Sequence, residues 1–332
     1  MKVLFIGGTG NISSACTRLA VEKGYEVFVI NRGQNPHADI PEGVAVLTGD
    51  VHDKKRMKEL LKPYKFDSVV QFQAFEVEHV EADFELFHDK THQYVIISTA
   101  SAYQKPPVDY LIKESTPLHN PYWLYSRKKI ACELRLMQIY REQGFPVTII
   151  RPSYTYGETW LPSAVGGRDY TVVNRMRQGK KIIVHGDGQS LWTMTHNSDF
   201  AKGLVGVLGN VQAIGESFHI TSDEVLTWDQ IYQVIGQAAG VTPKLIHISS
   251  EFIGEVVPQW GEFLFGDKAC SMVFDNSKIK RVVPEFMATI PFSQGVRRSV
   301  EWFDADENRQ IVNRETDGLI DRIITAYEKA LP

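Results

Sequence analysis

A glycine-rich turn joins an apolar segment to an amphipathic segment at the start of this chain. Residues 3–6 are all apolar, Gly7 and Gly10 follow, and apolar residues then recur at helical spacing over residues 12–20. This order predicts a strand, a tight turn and a helix whose N-terminal N–H groups point at the turn. Ser13 stands where a third glycine is usual. The arrangement is typical of a turn that holds the pyrophosphate of a dinucleotide.

This turn supplies the first group of candidate cofactor contacts. Gly7 permits a sharp turn, and Gly10 lets the backbone approach a phosphate, because neither carries a side chain. We expect the cofactor to contact Gly7, Thr9, Gly10, Asn11 and Ile12. Glycine-rich turns also occur in plain loops, and it is the position between a strand and a helix that favours a cofactor site.

The second predicted strand ends in the residues that distinguish between the two dinucleotides. An acidic residue at this place accepts hydrogen bonds from the ribose 2′-hydroxyl of NAD. Here Asn31 carries no charge, and Arg32 can pair with a 2′-phosphate. The sequence therefore favours NADP over NAD. In the alternative interpretation, Arg32 stacks on adenine or faces water.

The composition is that of an ordinary globular protein and argues against several classes of function. The 332 residues are 43% hydrophobic and 23% charged, enough for a sizeable core in two lobes. A net charge of −4 gives no electrostatic signature of nucleic-acid binding. Cys16, Cys132 and Cys270 are far apart, which favours neither a disulfide framework nor a metal site. No signal peptide or membrane-spanning run is evident, so we expect a cytoplasmic protein.

Short apolar runs alternate with helical segments through the first half of the chain. The runs are rich in Val and Ile and apolar on both faces, as buried parallel strands are. The predicted strands cover residues 3–6, 27–30, 44–47, 68–72, 94–97 and 147–150. The pattern predicts an α/β fold with a Rossmann-type, doubly wound parallel sheet.

A candidate contact to the adenosine follows the third of these strands. The carboxylate of Asp50 could meet the adenine amino group at this place. Capping of a turn or a helix explains the same residue equally well. We expect Val51, the next residue, to lie at the cofactor as well.

The sequence changes in character after residue 151. Residues 155–177 are rich in Gly, Pro, Tyr and Arg, which is typical of loops over a binding site. Further strands are predicted at residues 182–184 and 217–220, the second of which could return to the main sheet, and further helices at 229–239 and 317–330.

We expect two lobes from this organisation. Residues 1–160 with about 196–224 would form the dinucleotide-binding domain. About 161–195 with 225–332 would form a smaller, discontinuous C-terminal α/β lobe that binds the substrate.

Hydroxyl side chains follow the fifth strand, at the edge of the sheet where such folds bind ligands. Ser98 and Thr99 are the first of them. Further along, Tyr125 and Lys129 stand four residues apart, on one face of a predicted helix. An ammonium beside a phenol lowers the phenol pKa toward neutrality, so that Tyr125 can take a proton from a substrate hydroxyl. Thr99 can hold the same oxygen by a hydrogen bond.

In this order, the segments resemble the extended short-chain dehydrogenase/reductase family, which includes NAD(P)-dependent epimerases and dehydratases of nucleotide sugars. Besides the glycine-rich turn, the resemblance is carried over nearly the whole chain by Ser98-Thr99 followed by Tyr103, by Tyr125, Lys129 and Glu133, and by Arg151-Pro152 and Tyr156-Gly157. It implies that Thr99, Tyr125 and Lys129 form the catalytic triad, with Ser98 in place of Thr99 if the register is off by one. It also implies contacts to NAD(P) from Gln73, Ser98, Tyr125, Lys129, Pro152 and Ser153.

The chain departs from this family where the family binds a sugar diphosphate. Trp192 stands in place of an arginine, and Tyr154 in place of an asparagine that often contacts phosphate. An indole cannot supply the charge-assisted hydrogen bonds that a diphosphate needs. Trp192 either stacks on a sugar ring or belongs to the core. Arg168 is a candidate for the missing charge, so Tyr154, Arg168 and Trp192 are the predicted substrate contacts.

The segment after Trp192 has expected structural roles. His196 is expected to be a hydrogen-bonded structural histidine rather than an acid or a base. Asn197 or Ser198 is expected to cap a helix that begins near Asp199.

These observations favour an NAD(P)-dependent epimerase or oxidoreductase that acts on a hydroxyl or keto group of a sugar-like small molecule. They do not distinguish an epimerase from a reductase, and dehydration is less favoured because no carboxylate follows Thr99. The alternative is a non-catalytic dinucleotide-binding regulator or RNA-binding protein on the same fold, against which the retention of Tyr125 and Lys129 argues. The resemblance also implies a homodimer that forms through the helix of residues 125–133.

Overall fold

A seven-stranded parallel sheet forms the centre of the molecule in the computed structural model, which describes residues 1–33 and 40–330. The β-strands of these residues are β1 Lys2–Ile6, β2 Glu26–Asn31, β3 Ala45–Thr48, β4 Ser68–Gln71, β5 Tyr94–Ile97, β6 Leu111–Ile112, β7 Val147–Pro152, β8 Tyr154–Tyr156, β9 Lys181–His185, β10 Leu191–Trp192, β11 Met194–His196, β12 Ser217–Ile220, β13 Leu226–Thr227, β14 Lys244–Ile248 and β15 Val273–Phe274. The central sheet has the order β12-β7-β5-β4-β1-β2-β3, and all its neighbouring strands are parallel. The predicted Rossmann-type α/β fold is confirmed.

Helices cover both faces of the central sheet, as in a doubly wound fold. The α-helices of the described residues are α1 Asn11–Glu22, α2 Lys54–Leu60, α3 Val77–Phe87, α4 Leu124–Gln143, α5 Thr171–Arg177, α6 Asn197–Val207, α7 Trp228–Ala238, α8 Ser250–Val256, α9 Pro258–Phe263, α10 Ser277–Val282, α11 Phe292–Asp304 and α12 Arg314–Ala330. Val3 and Phe5 of β1 share a buried cluster with α1 and α6, whereas Leu4 and Ile6 share one with α2, α3 and α4. Within residues 1–33 and 40–330, no helix is both long and apolar enough to cross a bilayer.

The strand order reverses at β1, which lies between β2 and β4. In open sheets of this kind, a crevice forms at the carboxyl ends of the strands where the order reverses. The segments that leave β1, β4, β5 and β7 begin at this edge and carry Gly7, Gln73, Thr99 and Ser153. The topology therefore brings together residues from four distant parts of the chain.

Shorter elements of the second half build a further core. Two-stranded sheets pair β10 with β13, β8 with β11, β9 with β14, and β6 with β15. The strand predicted at residues 182–184 is β9, and the one at 217–220 is β12, which returns to the central sheet beside β7 as expected. The helices predicted at 229–239 and 317–330 are α7 and α12. The boundaries of the two predicted lobes remain a prediction.

The predicted cap of α6 is wrong. The helix begins at Asn197, and the His196 side chain, rather than that of Asn197 or Ser198, accepts a hydrogen bond from the Ser198 N–H at 3.3 Å. His196 is fully buried, which agrees with its expected structural role. Asp199 lies in the first turn, where a carboxylate interacts favourably with the helix dipole.

Candidate active site

Ser13 closes the glycine-rich turn with two hydrogen bonds. Its hydroxyl donates to Gly7 O at 2.6 Å and accepts from the Gly10 N–H at 2.8 Å. Gly7 has a φ of +83°, and a Cβ there would lie 2.8 Å from the Gln73 side chain. Both the backbone conformation and the available space therefore require glycine at this position. The serine that replaces the third glycine stabilises the turn.

A cavity of about 500 Å³ lies against this turn at the carboxyl edge of the sheet. The predicted site residues that line it are Gly7, Gly10, Asn11, Ile12, Gln73, Ser98, Thr99, Tyr125, Lys129, Pro152, Ser153, Tyr154 and Arg168. The predicted residues outside its lining are Thr9, Asn31, Arg32, Asp50, Val51 and Trp192. The structure thus brings most of the predicted site together in one place, which we name the catalytic cavity.

The residues predicted to hold the adenosine lie at the ends of β2 and β3. Asn31 accepts a hydrogen bond from the Gly33 N–H at 3.0 Å, and Arg32 is exposed. Asp50 accepts a hydrogen bond from the His52 N–H at 2.9 Å, so the turn-capping alternative describes what Asp50 does here. Contacts from these residues to a cofactor remain a prediction.

The glycine-rich turn has the shape that a dinucleotide pyrophosphate requires. Asn11 and Ile12, the first residues of α1, line the catalytic cavity, which places the N–H groups and the positive dipole end of the helix there. A Cβ on Gly8 would lie 2.8 Å from the Val29 side chain, so glycine permits close packing of the turn against β2. The residues present therefore fit a bound dinucleotide.

Thr99 is held by a row of hydroxyl groups at the end of β5. Its Oγ1 accepts a hydrogen bond from the Ser101 N–H at 3.2 Å and lies 2.9 Å from Ser101 Oγ. Ser101 Oγ in turn lies 2.7 Å from Ser126 Oγ, in the first turn of α4. The Thr99 side chain also lies close enough to that of Tyr125 to affect the pKa of the phenol. The row thus joins the end of β5 to the beginning of α4.

Tyr125 lies in the first turn of α4 with two aromatic rings beside it. Its ring centroid is 4.8 Å from that of Trp123 and 6.3 Å from that of Phe75. Burial raises the pKa of Tyr125 to about 12, and the neighbouring Thr99 side chain opposes that shift. The predicted lowering of this pKa is therefore wrong for the protein chain alone, because the loss of solvation outweighs the neighbouring charges. At neutral pH the phenol is protonated and can donate a proton.

Lys129 is fixed by backbone carbonyl groups one helical turn from Tyr125. Its Nζ donates to Ala74 O at 2.6 Å and to Ile97 O at 2.9 Å, and it lies 4.5 Å from the centre of the Phe75 ring. Burial lowers the pKa of Lys129 to about 8. An ammonium has three N–H donors, and these two bonds leave one for a ligand in the catalytic cavity.

Ser98 is engaged by a buried ion pair. Its hydroxyl donates to the Glu133 carboxylate, and Arg151 Nη2 donates to Glu133 Oε2 at 2.6 Å. All three residues are buried. Because the Ser98 hydroxyl donates to Glu133, Thr99 is the hydroxyl residue better placed to hold a substrate oxygen at the end of β5. The structure does not support the alternative in which Ser98 replaces Thr99 in the predicted triad.

A buried polar network positions Gln73 beside the glycine-rich turn. The Gln71 side-chain oxygen accepts from the Gln73 N–H at 2.7 Å, and the Gln71 amide donates to Asp83 Oδ2 at 2.8 Å. The Tyr94 hydroxyl donates to the same oxygen at 2.7 Å. Burial raises the pKa of Asp83 to about 6. The network holds the backbone where the chain leaves β4.

A second cavity of about 1050 Å³ adjoins the catalytic cavity, and we name it the outer cavity. The two share Trp123, Tyr154, Trp160, Arg168 and Lys268. Trp123, Trp160 and Lys268 were not predicted as site residues from the sequence. Only Trp123 had a usable signal, its place two residues before Tyr125. Lys268 comes from a distant segment, and no short-range pattern connects it to the site.

The prediction that Trp192 contacts the substrate is wrong, because this residue lies outside both cavities. Its side chain is 2% exposed and belongs to an apolar cluster, with its ring centroid 5.8 Å from that of Trp228. The structure therefore supports the core interpretation, and Trp192 is not placed to contact a substrate. The position where the family has an arginine contributes no charge to either cavity.

A family model and two relatives match most of this chain. The model of the NAD dependent epimerase/dehydratase family matches residues 3–221. The chain is 26% identical to the chloroplast stem-loop binding protein of 41 kDa b of Arabidopsis thaliana, over 99% of this chain and 85% of that protein. It is 25% identical to the UDP-N-acetyl-alpha-D-glucosaminuronate decarboxylase of Bacillus cytotoxicus, over 92% of this chain and 99% of that one.

A solved structure shows the same fold. DesIV, a dTDP-glucose 4,6-dehydratase from Streptomyces venezuelae solved with NAD bound, superposes with a TM-score of 0.75 at 20% identity, over 93% of this chain and 98% of that one. The family model spans about two thirds of the chain, including the glycine-rich turn, Thr99, Tyr125 and Lys129. This chain therefore belongs to the NAD dependent epimerase/dehydratase family of oxidoreductase-type enzymes.

Proposed function

We propose that this protein moves a hydride and a proton between a nicotinamide dinucleotide and a hydroxyl or keto group of a sugar or sugar-like small molecule. One observation carries the proposal. Thr99, Tyr125 and Lys129 line the same cavity as the glycine-rich turn that fits a dinucleotide. A proton donor, a fixed ammonium and a hydroxyl therefore meet at the place where a nicotinamide ring would lie.

Each of the three residues has a distinct role in this proposal. Thr99 holds the substrate oxygen by a hydrogen bond. Tyr125 gives a proton to that oxygen or takes one from it, and Lys129 stabilises the phenolate by its charge. The bound dinucleotide supplies the hydride acceptor or donor. The rings of Trp123 and Phe75 lie beside Tyr125 and cover part of its side chain.

The names of the relatives support a substrate in which a sugar is linked to a nucleotide. The decarboxylase is named for a UDP sugar and the dehydratase for a dTDP sugar. Epimerisation and simple reduction use the same proton and hydride steps, so the proposal includes both. Dehydration is less favoured, because Ala100 and Ser101 supply no carboxylate beside Thr99.

Hydride transfer is the experiment that tests the proposed function. The purified full-length protein is first examined by native mass spectrometry for a co-purified dinucleotide. It is then mixed with NAD or NADP and a panel of nucleoside diphosphate sugars and free sugar derivatives. We expect a change in nicotinamide absorbance or an epimerised product in the NMR spectrum. A protein that binds no dinucleotide and turns over no member of the panel would contradict the proposal.

We propose NADP as the preferred dinucleotide, because Arg32 is exposed at the end of β2 and Asn31 carries no charge. Arg32→Ala is expected to weaken NADP binding about tenfold and to change NAD binding less than about twofold, since only NADP offers a 2′-phosphate to a guanidinium. Dissociation constants from fluorescence titration measure both effects. Lys55→Ala, at another exposed cation, is the control. Tighter binding of NAD than of NADP to the unaltered protein would overturn this preference.

RNA binding without catalysis is the second candidate function. The observation that favours it is the similarity to the stem-loop binding protein of Arabidopsis thaliana, which covers 99% of this chain and 85% of that protein. The net charge of −4 and the presence of Tyr125 and Lys129 in the catalytic cavity argue against it. A salt-dependent mobility shift of RNA, together with no turnover of any sugar substrate, would favour this candidate over the enzyme.

We further propose that the protein is a homodimer formed through α4. This helix packs against α3, and its Leu134 side chain is 62% exposed. Leu134→Glu is expected to convert the dimer into a monomer, since a carboxylate buried in an apolar interface costs several kcal/mol. Sedimentation measures the change, with Val211→Glu, at an apolar residue 77% exposed, as the control. An unaltered protein that sediments as a monomer would contradict the proposal.

We also propose that the chain is divided into two lobes, one for the dinucleotide and one for the substrate. Residues 1–160 with about 196–224 contain the central sheet, and about 161–195 with 225–332 contain α7, α11 and α12. Trp228 and Phe303 share an apolar cluster separate from those on the two faces of the sheet, and Tyr103 and Tyr156 of the first lobe pack into the same cluster. The cytoplasmic location stays a prediction.

A further inference from the structure

Lys268 is a buried cation at the junction of the two cavities. Its side chain lines both of them, although only 8% of the residue is exposed. The residue ends a π-helical turn, Leu264–Lys268, a rare geometry that is frequent at functional sites. Its Nζ lies 3.5 Å from Asp267 Oδ2, which is a loose ion pair for a buried ammonium. Burial lowers the pKa of Lys268, Asp267 opposes that shift, and Arg168 adds to it.

Arg168 supplies a second cation at the same junction. It lines both cavities, and its guanidinium lies 4.2 Å from the centre of the Trp160 ring. Among residues 1–33 and 40–330, Arg168 forms no ion pair with a carboxylate. The neighbouring Asp169 lines the outer cavity and accepts a hydrogen bond from the Thr171 N–H at 2.9 Å.

Both cations lie near the same aromatic ring. Lys268 Nζ is 5.7 Å and the Arg168 guanidinium 6.0 Å from the centre of the Tyr154 ring. Like charges held close together in a partly desolvated cleft repel each other, and Arg168 lowers the pKa of Lys268 in this way. An anionic group bound between them would remove this repulsion and replace lost solvation with charge-assisted hydrogen bonds.

We propose that Arg168 and Lys268 form an oxyanion-binding site, which takes a carboxylate or phosphoryl group of the substrate at the junction beside Tyr125. A guanidinium offers a planar pair of N–H donors and an ammonium a point charge, which together suit a group with several charged oxygens. The substrate hydroxyl would then lie in the catalytic cavity and any remaining part of the molecule in the outer cavity. This inference rests on the proposed function for the statement that the anion belongs to a substrate.

Binding of simple anions tests the site without any turnover. Inorganic pyrophosphate and malonate are titrated by calorimetry into the full-length protein in the presence of saturating NADP, which occupies the glycine-rich turn. Pyrophosphate is the phosphoryl probe and malonate the carboxylate probe. Arg168→Gln and Lys268→Met are each expected to weaken binding of the preferred probe at least about tenfold. Lys268→Arg is expected to retain it, which separates loss of charge from loss of folding. The probe that binds more tightly identifies the class of anion.

Arg309→Gln is the matched control. Its guanidinium also stacks on an indole, 4.3 Å from the centre of the Trp302 ring, and lines the outer cavity but not the catalytic cavity. We expect it to leave probe affinity unchanged. The proposal is overturned if neither probe binds, if Arg168→Gln and Lys268→Met bind as the unaltered protein does, or if Arg309→Gln loses as much affinity. Probe binding without hydride transfer to any substrate would instead contradict the proposed function and leave the anion site standing.

Discussion

Replacing Tyr125 with phenylalanine is expected to lower kcat roughly a thousandfold, the size of effect typical of a lost general acid or base. The substitution removes one hydroxyl group, the proton donor that lines the catalytic cavity with Thr99 and Lys129. The ring remains beside those of Trp123 and Phe75, so folding and dinucleotide affinity should be unchanged. Steady-state kinetics on the substrate found by the hydride-transfer screen, together with dinucleotide titration, measure the two quantities separately.

Tyr122→Phe is the control for this experiment. Tyr122 lies three residues earlier, is 42% exposed and lines neither cavity. It should retain the kcat of the unaltered protein. If Tyr125→Phe also turns over at that rate, the assigned acid–base role is wrong, whatever the dinucleotide binding shows.

Replacing Arg151 with methionine is expected to lower the free energy of unfolding by about 3–5 kcal/mol, because it leaves a buried carboxylate without its cation. Arg151 and Glu133 are 6% and 2% exposed at their side chains, and Nη2 donates to Oε2 at 2.6 Å. Urea unfolding measures the loss. The double substitution Arg151→Met with Glu133→Leu should regain most of it, since neither charge is then buried.

An exposed ion pair of the same kind provides the comparison. Arg177 donates to both oxygens of Asp304, at 2.6 and 2.7 Å, but these side chains are 32% and 37% exposed. Arg177→Met should cost less than about 1 kcal/mol, because solvent screens the pair and solvates the carboxylate that is left. Equal losses at Arg151 and Arg177 would show that burial of the Glu133 pair carries no special cost.

The glycine-rich turn and the central strands could be predicted from the sequence because their causes are local. Gly7 is required by its own positive φ, and a buried parallel strand is apolar on both faces whatever its neighbours are. The four-residue spacing of Tyr125 and Lys129 likewise places both on one side of α4 without reference to the rest of the chain.

Other features of the site could not be predicted, because they depend on segments far apart in the sequence. Lys268 lies near Tyr154 and Arg168 because the fold packs a π-helical turn at the junction of the cavities. Trp192 stands at a position that binds phosphate in the family, yet its side chain packs in the core beside Trp228. No pattern of neighbouring residues reports such packing.

The sequence alone therefore determined the chemical identity and the spacing of the site groups. It showed which groups can hold a pyrophosphate and which phenol and ammonium lie one helical turn apart. It did not determine the pKa values of these groups, and the Tyr125 phenol is the clearest case. Its sequence neighbour Lys129 suggested a lowered pKa, whereas burial raises it to about 12. Burial is the sum of what every surrounding segment contributes, so the direction of that shift followed only from the packed molecule.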